Sequence, residues 1–271
     1  MKEEKDSLGN RVKTYEALAE IGFMPALPII ARIDGRSFHS FCKGMTKPYK
    51  MEMSQAMIAT AKRLAFETNA VIAYTQSDEI TLVYYSTSPE SQIFFNARHS
   101  KMVSNLASMA TMYFYQEVLK HMPELADRNP TWDCRVFSVP STDEACNVLL
   151  WRELDATKNA ISMAARAYYS DKELHGKNGN EKQEMLFQKG VNFNDYPIFF
   201  KRGTFIRRKS VSTAFTAEEM NMLPEKHEAR TNPNLKIVRQ IWEAEGLPQF
   251  SKITNRVDVV FSGSVPILKD V

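Results

Sequence analysis

The chain has 271 residues, 44% hydrophobic and 25% charged, a composition ordinary for a globular protein that buries a full core and needs no disulfide framework. No apolar run approaches the roughly 18 residues of a membrane span, and the opening MKEEKDSLGNR lacks the apolar segment of a signal peptide, so a soluble, cytoplasmic protein is expected. A net charge of +3 permits nucleic-acid binding without establishing it, and Cys42, Cys134 and Cys146 are too widely spaced for a zinc half-site and read as buried free thiols.

Residues 1–28 are read as an N-terminal extension. Pro25-Ala-Leu-Pro28 then leads into Ile29-Ile-Ala-Arg-Ile33, a β-branched run that stops at Asp34-Gly35 and predicts a buried strand closed by a tight turn. Helix formers from about 50 to 68, with Met53, Met57 and Leu64 able to line one face, predict a helix. Residues 71–74 and 80–85 are strand-like and flank the short polar Thr75-Gln-Ser-Asp-Glu79, which predicts a hairpin. A long helix is expected over 91–121, and a fourth strand over 133–139, closed by Pro140. The order βαββαβ is the ferredoxin-like arrangement of polymerase palm domains, so an α+β fold is expected with residues 29–140 as a palm-like catalytic core. The region 141–271 completes the domain with a helix over 141–170, a loop at 176–181, the basic stretch 201–209 and a last helix near 234–245.

In such a sheet the first strand lies antiparallel to the third, which brings Asp34, at the end of one, beside Asp78, at the start of the other. Two carboxylates about 4 Å apart repel by roughly 4 kcal/mol at an effective dielectric near 20, so the pair calls for cations. Mg²⁺ suits it, because that ion prefers oxygen ligands and keeps positions open for water and phosphate. Two such ions would activate an attacking oxygen and stabilise leaving pyrophosphate. Glu79, one residue further along, is expected to point to the opposite face and to act from behind the ligands.

Gly35-Arg36-Ser37-Phe38-His39 follows Asp34 directly, and its successive N–H groups are expected to cradle phosphates. On the long helix Arg98, Lys101, Asn105 and Ser108 form a polar stripe whose cations are expected to hold β- and γ-phosphates, with Lys47 a further candidate. His39 is assigned a binding role only.

Arg32-Ile-Asp-Gly-Arg-Ser-Phe-His39, Ser77-Asp-Glu79, Phe95-Asn-Ala-Arg-His-Ser-Lys101 continuing to Ser104 and Ser108, Asp133-Cys-Arg-Val-Phe137 and Lys201-Arg-Gly203 resemble, in order, the motifs of the tRNA-His guanylyltransferase-like family. The resemblance implies a palm-fold enzyme that extends RNA in the 3′-to-5′ direction. Such an enzyme activates a 5′-monophosphorylated tRNA with ATP, then lets the 3′-OH of an incoming NTP, often GTP, displace the activating group. It implies Asp34 and Asp78 as carboxylates for two Mg²⁺ ions with the Gly35 carbonyl as a further ligand. Nucleotide contacts are implied for Arg36, Ser37, Phe38, His39, Ser77, Asp78, Arg98, Lys101 and Ser104.

The eukaryotic branch carries His-Ile-Asn-Asn-Leu-Tyr-Asn after a Trp-Arg helix, where this chain has Asp155-Ala-Thr-Lys-Asn-Ala-Ile161 after Trp151-Arg152. The chain thus resembles the bacterial, archaeal and phage-like branch, which implies templated repair of truncated tRNA 5′ ends over strict G-1 addition to tRNA-His. The family also implies a homo-oligomer, a tetramer being the expected form. RNA contacts are expected from Lys201, Arg202, Arg207, Arg208 and Lys209. Rival readings are another palm chemistry, such as nucleotide cyclisation or oligonucleotide synthesis, and a non-enzymatic RNA-binding module, although no RNP-like aromatic motif is present.

Overall fold

The computed structural model describes residues 7–269 apart from positions 89, 91 and 233. Its elements run α1 (Ser7–Leu18), β1 (Ile29–Gly35), α2 (Phe38–Phe41), α3 (Met51–Glu67), β2 (Ile72–Gln76), β3 (Glu79–Tyr84), α4 (His99–His121) and β4 (Trp132–Ser138). They continue with α5 (Thr142–Arg166), α6 (Asp171–Leu174), α7 (Gly179–Gln188), α8 (Ile198–Arg202), β5 (Thr204–Ala214), α9 (Ala217–Met222) and β6 (Lys236–Glu245).

The strands form one antiparallel sheet in the order β4-β1-β3-β2-β5-β6. Its first four strands have the ferredoxin-like order that the sequence predicts, and the C-terminal region extends the same sheet by two. Alternation along β1 explains its burial on both faces. Ile29, Ala31 and Ile33 pack with Met53, Met57, Ala61 and Leu64 of α3 and Met102, Leu106, Ala110 and Phe114 of α4. Ile30 faces the other way, with Ile72, Val83 and Phe205, onto Ala145, Leu149 and Ala156 of α5. Burying each such Leu or Ile stabilises the fold by roughly 1.5–3 kcal/mol before entropy is counted. The helix α5 is fixed at its start by Ser141, whose hydroxyl accepts from the Glu144 N–H.

Three expectations are corrected. Residues 236–245 form a strand, because ten cross-strand pairs with β5 override the helix formers in KIVRQIWEAE. The stretch 176–181 is only partly loop, since Asn178 and Glu181 make a capping box that starts α7. The long helix starts at His99, because Phe95, Asn96 and Ala97 take left-handed φ values of 52°, 53° and 56°.

Candidate active site at the end of strand β1

The hairpin register sets the chemistry. Asp34 lies directly across from Glu79 on β3 and from Asp133 on β4. Cross-strand partners project from the same face, so three carboxylates share one sheet end. Asp78 sits in the two-residue turn between β2 and β3, where Ser77 adopts φ 49°. The Gly35 N–H donates to the Asp78 carbonyl at 2.9 Å and ties the turn to the end of β1. The predicted convergence of Asp34 and Asp78 is therefore present. Glu79, expected on the opposite face, is instead beside Asp34.

Burial pushes the Asp34 carboxyl up to about 6, with Glu79, Asp78 and Asp133 adding to the rise and Arg32 opposing it. The Asp78 carboxyl is also raised, by burial first, while a hydrogen bond from Ser77 opposes the shift. Glu79 is held by a cation. Arg152 of α5, only 3% exposed, forms an ion pair with the Glu79 carboxylate and a second with Asp155 at 3.2 Å. Gln76 donates to the same Glu79 oxygen at 3.1 Å, and the Trp151 ring lies 4.4 Å from the Arg152 guanidinium.

This donor set fits a cation that takes few protein ligands. Among the described residues no three His, Cys, Asp or Glu side chains are arranged as a metal cage. Two carboxylates raised chiefly by burial, with space for water and phosphate oxygens, suit Mg²⁺ better than an ion that demands a full protein shell. That space is a cleft of about 260 Å³ between the β2–β3 turn, with Asp34, and Asn159, Ser162, Met163 and Arg166 of α5. Arg152, Asp155, Asn159, Ser162 and Arg166 recur three or four residues apart and so lie on one helix face. That stripe is the signal by which the α5 contribution could have been found in the sequence.

The structure divides the expected phosphate contacts. Arg36, Ser37, His39 and Lys47 are exposed at the site's end of the sheet. The Gly35 and Arg36 N–H groups are taken by the carbonyls of Asp78 and Thr131 and are not available to a phosphate, and Ser37 follows in the left-handed region at φ 53°. Phe38 turns its ring into the core against Phe41, Phe114 and Trp132 and offers no side-chain contact to a nucleotide. The ring also explains Gly35, since any Cβ there would fall inside it.

Arg98, Lys101 and Ser104 are not beside the carboxylates of their own chain. Strand β3 runs away from Asp78, so α4 starts at the far end of the sheet and climbs back. Phe114 packs on Phe38 and Trp132 at the site's end, and Arg98, sixteen residues earlier, is about 24 Å away at 1.5 Å per residue.

The basic stretch is also largely consumed within the fold. Lys201 donates to the Asn194 carbonyl, and Arg202 lies 3.9 Å from buried Glu153. Arg207 is buried and binds Glu245 at 3.1 Å with the carbonyls of Val259 and Ser264, while Lys209 pairs with Glu243 and Glu245. Of these five cations only Arg208 is fully exposed without an ion pair.

Among the described residues no helix is long and apolar enough to cross a membrane. A family model described as tRNAHis guanylyltransferase (Thg1) matches residues 9–140. The tRNA(His) guanylyltransferase of Saccharomyces cerevisiae is 30% identical over 204 residues, which span 69% of this chain and 84% of that protein. Its Schizosaccharomyces pombe counterpart is 31% identical over 214 residues, 74% of this chain and 80% of that protein. A solved bacterial tRNA(His) guanylyltransferase (Thg1)-like protein in complex with ATP superposes with a TM-score of 0.76 at 32% identity, over 94% of this chain and 98% of that one. A second bacterial Thg1-like structure, in complex with GTP, gives a TM-score of 0.68. With the carboxylate end of β1 in this setting, the chain belongs to the tRNAHis guanylyltransferase family of nucleotidyltransferases.

Proposed function

We propose that this chain adds nucleotides in the 3′-to-5′ direction to the 5′ end of tRNA, with Asp34, Asp78 and the Gly35 carbonyl holding two Mg²⁺ ions. The observation behind this reading is the convergence of Asp34 and Asp78 at one strand end beside an open cleft. Bound Mg²⁺ would supply Lewis-acid stabilisation to phosphoryl oxygens and to leaving pyrophosphate. Arg36, Ser37, His39, Lys47 and Ser77 would contact the triphosphate from the exposed side. Glu79 lines the cleft with Asp34 and Asp78 but is already paired with Arg152, which leaves Asp34 and Asp78 as the cleft carboxylates without an ion pair among the described residues.

The substrates follow from the family. ATP would adenylylate the 5′-monophosphate with release of pyrophosphate, and the 3′-OH of an incoming NTP would then attack that phosphorus with departure of AMP. The departure from the eukaryotic motif at residues 155–161, a stretch from which Asn159 lines the cleft, favours repair of truncated 5′ ends over G-1 addition. The reading includes a homo-oligomer, because Arg98, Lys101 and Ser104 can reach a carboxylate site only in another copy.

Labelled NTP offered with a 5′-truncated, 5′-monophosphorylated tRNA should enter at the 5′ end only when Mg²⁺ is present. Asp34→Ala and Asp78→Ala should abolish this with the fold retained. Label confined to the 3′ end, cyclic products without RNA, or full activity in the Ala variants would each overturn the proposal.

A further inference from the structure

The face of the sheet that carries Asp34 is only half covered. Helix α5 packs over Ile30, Ile72 and Val83, whereas on β4 the residues Asp133, Arg135 and Phe137 of the same face remain exposed. Two residues from the Asp34–Asp133 pair, about 7 Å along the strands, Arg32 lies directly across from Arg135.

Like charges facing each other across strands are destabilising, and a structural role would favour an opposite charge or an apolar pair there. Neither arginine forms an ion pair among the described residues, although Asp133 is on the same face. The Arg32 Nε is moreover buried with no hydrogen-bond partner. A buried unpaired guanidinium nitrogen next to an unpaired exposed guanidinium calls for an anion that bridges them.

We infer that Arg32 and Arg135 form a phosphate-binding clamp one step from the reacting centre. This rests on reading the Asp34 end as the catalytic site. The separation from the carboxylates is of the order of one nucleotide step along a polynucleotide, so the bridging group is a phosphodiester of the RNA near its 5′ end, with a phosphate of the NTP as the other source of the same chemistry. Exposed Phe137 lies next along the same strip, opposite Ile30.

Binding of a 5′-monophosphorylated truncated tRNA and of ATP, each alone and without turnover, separates the two sources. If the clamp holds RNA, Arg32→Gln and Arg135→Gln each lower the slope of log affinity against log salt by about 0.7–0.9 and leave ATP binding unchanged. If it holds the nucleotide, both variants weaken ATP about tenfold and leave the RNA salt slope unchanged. Arg135→Lys, which keeps the charge, should retain the RNA slope in the first case. Wild-type affinities and slopes for both ligands in both Gln variants, with unchanged melting temperatures, would overturn the clamp. The readout is binding, so its failure is distinct from a failure of Asp34 or Asp78 in the turnover assay.

Discussion

Replacing Arg152 tests whether the carboxylate end is a balanced electrostatic assembly. Arg152→Met keeps most of the stem that packs under Trp151 but leaves Glu79, 16% exposed at its side chain, without its cation. Removing one partner of a buried pair costs 3–5 kcal/mol when the other is fully sealed. Asp155 is 31% exposed and recovers water readily, which places the expectation near the lower end, about 3 kcal/mol. In a chain of this size that corresponds to a fall in melting temperature of about 6–10 °C. Urea unfolding should show a lower midpoint with an unchanged slope. The double variant Arg152→Met, Glu79→Gln removes the stranded charge and should recover more than half of the loss. A single variant within 1 kcal/mol of wild type, or a double variant no more stable than the single one, would refute the reasoning.

Other consequences can be measured separately. The Asp34 carboxyl is held near 6, above its ordinary range, so its protonated form favours the folded state. Its contribution is fully present below about pH 4 and is lost as the pH rises through 6; stability gained on adding Mg²⁺ should therefore be larger at pH 7.5 than at pH 5. A gain independent of pH, read by thermal melting, would contradict that assignment. Gly35→Ala should destabilise by about 1–3 kcal/mol through overpacking against the Phe38 ring, and Phe38→Leu in the same chain should relieve part of it, both read by denaturant titration. Arg208→Gln should reduce the salt slope of tRNA binding without changing stability. Arg207→Gln, by contrast, should lower the melting temperature through its lost bonds to Glu245, Val259 and Ser264, and the opposite pattern would show that the burial has been misread.

How far the sequence discloses the molecule depends on whether a feature follows from chain order or from packing. Asp34 and Asp78 could be placed together because strand order in a βαββαβ unit determines which strand ends are neighbours, whatever the side chains around them. The same rule, applied to the next crossover, places the start of α4 at the opposite end of the sheet. The motif run from Arg98 to Ser104 draws attention to its cations, but a strand that leaves Asp78 at Glu79 and ends at Tyr84 must deliver the chain to the far side before the helix begins. Cations there cannot serve the carboxylates of their own chain. The basic run at 201–209 hid a different fact, because composition cannot tell a charge that faces water from one that fastens the C-terminal segment, as Arg207 does through the carbonyls of Val259 and Ser264. The Arg152–Glu79 pair was hidden for the same reason: a helix face is visible as a repeat at three and four residues, yet only packing decides that this face meets the start of β3. What remained illegible is thus the counter-charge at this end of the sheet, the Arg152 guanidinium that packing brings against Glu79.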